Sequence, residues 1–169
     1  AIRKHRYVTD RAFITTQQER DMIITKKLNI GDELRGKRVA VVEDSIVRGD
    51  TSRRTIKKMR EAGAKDVHMY ITFPRIISPC FYGIDMSTFS ELIGAKHDAA
   101  GVAKIVGADS VHYQSLENFI KATGLSKDEL CLGCLTCKYP TPLAQKLANE
   151  MKARFEKGEK ERGRIYESP

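Results

Sequence analysis

The alternation of apolar and polar positions is clearest from residue 38 onward. Val39 to Val42 is a continuous apolar run, long enough for one buried strand at about 38–43, and it ends in two adjacent carboxylates, Glu43 and Asp44. A turn centred on Gly49 follows. Arg53 to Glu61 has helical spacing, which predicts a helix over about 51–62 stopped by Ala62-Gly63-Ala64. Val67 to Phe73 predicts a second strand, so 38–73 makes a βαβ unit with parallel strands. Pro74, Pro79 and Gly83 break the pattern until a short element near Glu91–Ala95 and a helix over about 98–106. Ser110 to Tyr113 is a third strand, and Leu116 to Ala122 a helix closed by Gly124. A cysteine-bearing loop, Ser126 to Tyr139, leads to a helix opened by Thr141, with Leu143, Leu147 and Met151 as its apolar stripe to about residue 156. Ahead of all this, Thr9 to Lys27 is polar without a stripe and reads as a mobile loop leading into a short helix. The last dozen residues are charged and are expected to fray. The fold class expected is α/β, a mostly parallel sheet flanked by helices.

The turn after the first strand carries the most chemistry. A strand whose carboxyl end opens through a loop into a helix places ligand-facing groups at the crevice of an open α/β sheet. The first N–H groups of the helix lack intrahelical acceptors, and its dipole favours negative charge, so a phosphate suits the position. Gly49 lets the backbone come close to a phosphate oxygen. Thr51 and Ser52 offer hydroxyl donors, and either is able to cap the helix. Glu43 and Asp44 would repel a phosphate; they suit ribose hydroxyls and a hard cation such as Mg2+. No Gly-Lys-Ser/Thr and no Gly-x-Gly-x-x-Gly is present, which excludes a Walker loop and a dinucleotide fingerprint.

Composition narrows the class further. The 169 residues, 41% apolar, suffice for one core. No run is long enough to span a bilayer and no secretory pattern opens the chain. The formal charge of +8 fits a binder of a substrate phosphorylated at two ends, with nucleic acid as the minor alternative. Four cysteines without an export signal point to a reduced compartment, the cytoplasm, and against a disulfide framework. Cys131, Cys134 and Cys137 form C-x2-C-x2-C, with Cys80 far away in sequence; zinc in a four-thiolate site and a [4Fe–4S] cluster both fit that ligand type. His5, His68, His97 and His112 have no spacing that suggests catalysis.

The run Val41-Val42-Glu43-Asp44-Ser45-Ile46-Val47-Arg48-Gly49, followed by Thr51-Ser52, resembles the phosphoribosyl-pyrophosphate loop of type I phosphoribosyltransferases. The longer resemblance is to the glutamine-dependent amidophosphoribosyltransferases that open purine synthesis. It is carried by Arg6-Tyr7-Val8, Phe13-Ile14, Lys27-Leu28-Asn29, Arg60-Glu61-Ala62-Gly63-Ala64 and Pro79-Cys80-Phe81-Tyr82-Gly83-Ile84-Asp85-Met86. Ile105-Val106-Gly107-Ala108-Asp109 and the stretch Cys131-Leu132-Gly133-Cys134-Leu135-Thr136-Cys137-Lys138-Tyr139-Pro140-Thr141 extend it.

The resemblance implies transfer of ammonia, released from glutamine, to phosphoribosyl pyrophosphate to give 5-phosphoribosylamine. Glu43, Asp44, Ser45, Arg48, Gly49, Asp50, Thr51 and Ser52 would bind the substrate, with Glu43 and Asp44 also facing Mg2+. Arg48 to Ser52 would hold the 5-phosphate through main-chain N–H groups and hydroxyls. The family more often has Thr at the position of Asp50, where an anion should repel phosphate unless it points away. Lys26 and Lys27 would neutralise the departing pyrophosphate beneath a closing loop, with a weaker case for Arg11. The resemblance favours a [4Fe–4S] cluster over zinc, with Cys80, Cys134 and Cys137 as the matching ligands and Cys131 as a neighbour. It also implies a chain truncated at the start of its phosphoribosyltransferase domain, without the amino-terminal glutaminase domain that would be its partner, inactive alone, and part of a homo-oligomer. Residues 1–125 would then form part of the transferase domain, with a mobile loop at about 9–27, and 126–169 the cysteine loop and a helical extension.

Overall fold

The computed structural model of the protein describes residues 2–4, 28–30, 32–159 and 161. The expected mobile loop at 9–27, together with Arg11, Lys26 and Lys27, lies outside the described residues. Two short strands, β1 (Ile2–Lys4) and β2 (Leu28–Ile30), pair antiparallel. The main sheet holds β3 (Arg38–Glu43), β4 (Asp66–Ile71) and β5 (Ser110–Tyr113) in the order β3-β4-β5, all parallel. Its register pairs Glu43 with Ile71 and Ile71 with Tyr113, so the three strands end level at their carboxyl edge.

The helices are α1 (Asp50–Glu61), α2 (Ile93–Lys96), α3 (Ala99–Val106), α4 (Leu116–Thr123), α5 (Gly133–Thr136) and α6 (Pro142–Glu156). The crossover from β3 through α1 to β4 is the predicted βαβ unit. Helix starts and stops follow local chemistry. Asp98 caps α3 by accepting from Gly101 N at 2.8 Å, and Ser115 caps α4 by accepting from Asn118 N at 3.1 Å. Gly107 and Gly124 end those two helices in the left-handed conformation.

One core lies between the sheet and helices α1 and α3. It contains Ile56, Met59, Val67, Met69, Ile71, Val102, Val106 and Val111, all buried. Each such side chain contributes about 1.5–3 kcal/mol through burial. A second core joins the irregular stretch after β4 to the cysteine loop: Ile76, Met86 and Leu92 pack with Leu132 and Leu135. Phe73 meets Phe119 of α4 edge-on at its margin, with ring centroids 4.9 Å apart.

Two expectations of burial are corrected. The apolar run of β3 is not buried on both sides, because Val42 is 71% exposed. Helices α1 and α3 cover one face of the sheet, while Ala40, Val42, Tyr70 and His112 lie exposed on the other. On α6 the buried positions are Ala144 and Ala148, and Leu143 is 68% exposed. Small residues let this helix approach closely, and Phe155, further along it, stacks on Phe89 at 5.6 Å. Leu147 and Met151 are half-buried beside that line.

A polar clasp ties the 76–82 stretch to the cysteine loop. Ile77 N and Ser78 N both donate to Cys134 O, at 2.9 and 3.1 Å. The buried Ser78 hydroxyl meets Tyr139 Oη at 2.6 Å, and Tyr139 Oη donates to Pro79 O at 2.5 Å. Burial raises the Tyr139 phenol well above its usual value, so it remains a donor. Tyr82 Oη lies 2.9 Å from Thr141 Oγ1 at the start of α6.

Candidate functional site

The carboxyl edge of β3 delivers Glu43 and Asp44 into the turn before α1. Glu43 is half-buried, and its carboxyl is raised above the usual value. Burial is the main cause and the adjacent Asp44 adds to it; a hydrogen bond from Ser52 opposes both. Asp44 is exposed and accepts from Ser45 N at 2.6 Å, with the Ser45 hydroxyl 3.3 Å away. A half-buried carboxylate beside a second acid is an anion in want of a counter-charge. That donor set fits Mg2+, which takes one or two protein carboxylates and completes its shell with water and substrate oxygens.

Gly49 is the N-cap of α1, with φ +82°. This left-handed conformation costs an L side chain about 1–2 kcal/mol, and a Cβ here would stand 3.0 Å from Ile93 Cδ1 and 3.3 Å from Val106 Cγ1. The glycine therefore answers both a dihedral and a space requirement. Its carbonyl accepts the first helical bond, from Arg53 N at 2.9 Å. The helix starts at Asp50, so Thr51 and Ser52 lie within its first turn and neither caps it, contrary to expectation. Ser52 instead turns its hydroxyl back to Glu43 Oε2 at 3.0 Å, and Thr51 is exposed. Asp50 accepts from Arg53 at 2.9 Å, which compensates the charge expected to oppose a phosphate.

Arg48 is on this turn, but its side chain is engaged elsewhere. Its Nε donates to Glu91 Oε2 at 2.8 Å, and a terminal nitrogen bonds the same oxygen. That nitrogen also donates to Asp85 O at 3.3 Å and lies 3.7 Å from the Asp85 carboxylate. Sequence reasoning missed Glu91 as a partner of the turn: it stands 43 residues away, and no local pattern links the two. Tyr113, level with Glu43 across the sheet, is a second group it missed. Burial pushes its phenol up to about 12, with Arg75 acting in the opposite direction. Its hydroxyl has no partner among the described residues.

Cys134 is pushed up to about 11, by burial first and then by the proximity of Cys80 and Cys131. Cys137 sits in a left-handed conformation, φ 58°, and its Sγ accepts from the Ser78 hydroxyl at 3.3 Å. Cys80 and Cys131 thus lie near Cys134, while Cys80, Cys134 and Cys137 all lie near the Tyr139 phenol. Among the described residues, no three His, Cys, Asp or Glu side chains form a set able to hold a metal ion. As placed, Cys80, Cys134 and Cys137 do not fit a [4Fe–4S] cluster or zinc. Two of the described histidines take structural contacts: Ser110 Oγ lies 2.8 Å from His68 Nδ1 and 2.9 Å from His112 Nε2, and Tyr70 stacks on His112.

No helix among the described residues is long and apolar enough to cross a membrane. No protein-family profile matches the chain. It is 49% identical over 139 residues to the amidophosphoribosyltransferase of Methanocaldococcus jannaschii, covering 82% of this chain and 29% of that protein. The Bacillus subtilis amidophosphoribosyltransferase is 45% identical over 148 residues, covering 84% of this chain and 31% of that protein. Among solved structures, glutamine phosphoribosylpyrophosphate amidotransferase from B. subtilis, complexed with ADP and GMP, matches with a TM-score of 0.70 at 44% identity. That match covers 84% of this chain and 32% of the other. The chain spans about three tenths of the length of the curated relatives it matches. By sequence and by fold, it is homologous to a type I phosphoribosyltransferase-like α/β segment of the amidophosphoribosyltransferases.

Proposed function

We propose that this chain carries the ribose-phosphate and Mg2+ part of an enzyme that transfers glutamine-derived ammonia to phosphoribosyl pyrophosphate. Ammonia attacks the anomeric carbon as the bond from that carbon to the pyrophosphate oxygen breaks; 5-phosphoribosylamine and pyrophosphate are the products. The observation that carries the reading is the turn itself. Gly49 in the left-handed conformation starts α1, and Ser52 in its first turn donates to Glu43 Oε2 at 3.0 Å, so the start of the helix, with its unpaired N–H groups, adjoins the carboxylate at the end of β3.

In this reading the amides of Gly49 to Ser52 hold the 5-phosphate, aided by the Thr51 hydroxyl. Glu43 and Asp44 accept hydrogen bonds from the ribose diol and hold Mg2+. When bound, the cation supplies charge neutralisation at the pyrophosphate. Ser52 fixes the Glu43 carboxylate at 3.0 Å, so that oxygen meets the sugar already oriented. Lys26 and Lys27 are proposed to stabilise the leaving group. Glutamine hydrolysis is assigned to a partner domain, and 1–125 and 126–169 to a transferase part and a cysteine loop with its helical extension.

Asp44→Asn tests the assignment in the protein joined to its glutaminase partner. The substitution should weaken binding of phosphoribosyl pyrophosphate with Mg2+ and slow the ammonia-dependent rate by about tenfold or more. Unchanged affinity and rate would remove Asp44 from the site and the reading with it.

A further inference from the structure

We infer that Glu91 is a positioning residue for the phosphate turn, acting through Arg48, and that the Arg48 side chain is not itself a phosphate ligand. The inference rests on the functional reading above and adds to it the element that shapes the turn.

The segment from Asp85 to Ile93 grips the turn at three successive residues. Ile93 N donates to Val47 O at 3.0 Å. Arg48 places two nitrogens on Glu91 Oε2 and one of them on Asp85 O. Gly49 rests against Ile93, with only the space of the missing Cβ between them. Glu91 is itself held: its other oxygen accepts from Ser87 N at 2.5 Å and Thr88 N at 2.8 Å, with the Thr88 hydroxyl at 3.4 Å. An arginine free beside the turn would be an obvious anion ligand. Here one guanidinium faces two carboxylates, of Glu91 and Asp85, so its charge is already answered. The side chains of Arg48 and Glu91 are only 27% and 18% exposed, which favours a fixed geometry over a mobile surface pair. The charge of a bound phosphate then falls to the backbone amides and the start of α1. Glu91 decides whether those amides converge.

The two roles for Arg48 predict opposite signs. If Glu91 positions the turn, Glu91→Gln weakens binding; if Glu91 merely sequesters a ligand arginine, the same substitution releases it and tightens binding. The experiment measures ribose 5-phosphate binding with Mg2+ by calorimetry, and amide hydrogen exchange at residues 47–52 in the ligand-free protein. Glu91→Gln is expected to weaken binding about tenfold and to speed exchange at those amides by a similar factor. The Arg48→Gln and Glu91→Gln double variant should be no worse than Arg48→Gln alone. Glu161→Gln is the control. Glu161 accepts from Phe89 N at 3.0 Å and Ser90 N at 2.6 Å in the same stretch without touching Arg48, so its loss should leave binding and exchange unchanged.

Tighter binding by Glu91→Gln, no change in exchange at 47–52, or an equal effect of Glu161→Gln each overturns the inference. If the unsubstituted protein binds no ribose 5-phosphate, the functional reading fails. Exchange alone then decides the positioning role: faster at 47–52 in Glu91→Gln upholds it, unchanged overturns it. Should Glu91→Gln not fold, Arg48→Lys keeps the charge but loses the paired grip and is read by the same two measurements and the same outcomes.

Discussion

Ser52 Oγ reaches back from the first turn of α1 to Glu43 Oε2 at 3.0 Å, bridging the helix and the end of the strand that precedes it. The bond opposes the two influences that raise the Glu43 carboxyl, its burial and the neighbouring Asp44. It partly offsets them, and Glu43 remains a reluctant anion at the place where the proposed function puts a cation and a sugar.

That reluctance has a sign in stability. A carboxyl raised in the folded state binds more protons there than in the unfolded chain across the interval between its two pKa values. Stability therefore falls as pH rises from the ordinary value of 4.5 through the raised one, and the loss persists above it. Glu43→Gln should be more stable relative to the parent at pH 7 than at pH 4, while losing affinity for Mg2+ and the sugar phosphate. Urea unfolding at the two pH values checks this; an equal difference at both would contradict it.

Gly49→Ala should destabilise the protein by about 1–3 kcal/mol, combining the left-handed penalty with the close approach to Ile93. Denaturant titration measures the loss. Gly36→Ala serves as the comparison. Its φ is +71°, but a Cβ there would meet nothing within 4 Å beyond its chain neighbours. Only the dihedral penalty of about 1–2 kcal/mol then applies.

The clasp at Tyr139 has its own signature. Tyr139→Phe strips the Pro79 carbonyl and the buried Ser78 hydroxyl of a partner, at about 1–3 kcal/mol. Gly133→Ala should cost a similar amount by another route. A Cβ there would lie 2.5 Å from Tyr139 Cδ1, so the ring must move and its hydrogen bonds with it. Because both act on one contact, the double variant should lose less than the sum of the singles, measured by thermal unfolding.

On α6 the two faces should separate cleanly. Leu143→Gln, at an exposed position, should change stability by no more than about 0.5 kcal/mol. Ala148→Gln forces a long polar side chain into a buried contact and should cost about 1–3 kcal/mol. Circular-dichroism melts of the two variants are the check.

Much of the fold was legible because its cues are local. The apolar run of β3, the turn at Gly49 and the spacing of Ile56 and Met59 define the βαβ unit within a few residues, and β5 and α4 are bounded as expected. The turn was legible to the same depth: Glu43, Asp44, Gly49 and Ser52 lie within ten residues, and Ser52 meets Glu43 across it. Side-chain direction was not. Whether Ser52 caps the helix or reaches Glu43 depends on where the helix begins, and one residue decides it. The Arg48–Glu91 pair spans 43 positions, so only the folded chain brings it together. The same holds for Cys137, whose αL backbone sets its sulfur on Ser78. For Val42, the residue types predict a strand, yet exposure depends on what covers the sheet.

The partnership of Asp50 with Arg53 bears on how this turn can be altered by mutation. Replacing the acid first leaves a lone cation at the start of α1, a change that would strengthen capture of a phosphate at the proposed site and slow its release. Replacing the base first leaves a lone anion there, and capture suffers. Two routes to the same neutral doublet therefore pass through intermediates of opposite charge, so only one order of steps would keep the proposed site attractive to an anion throughout.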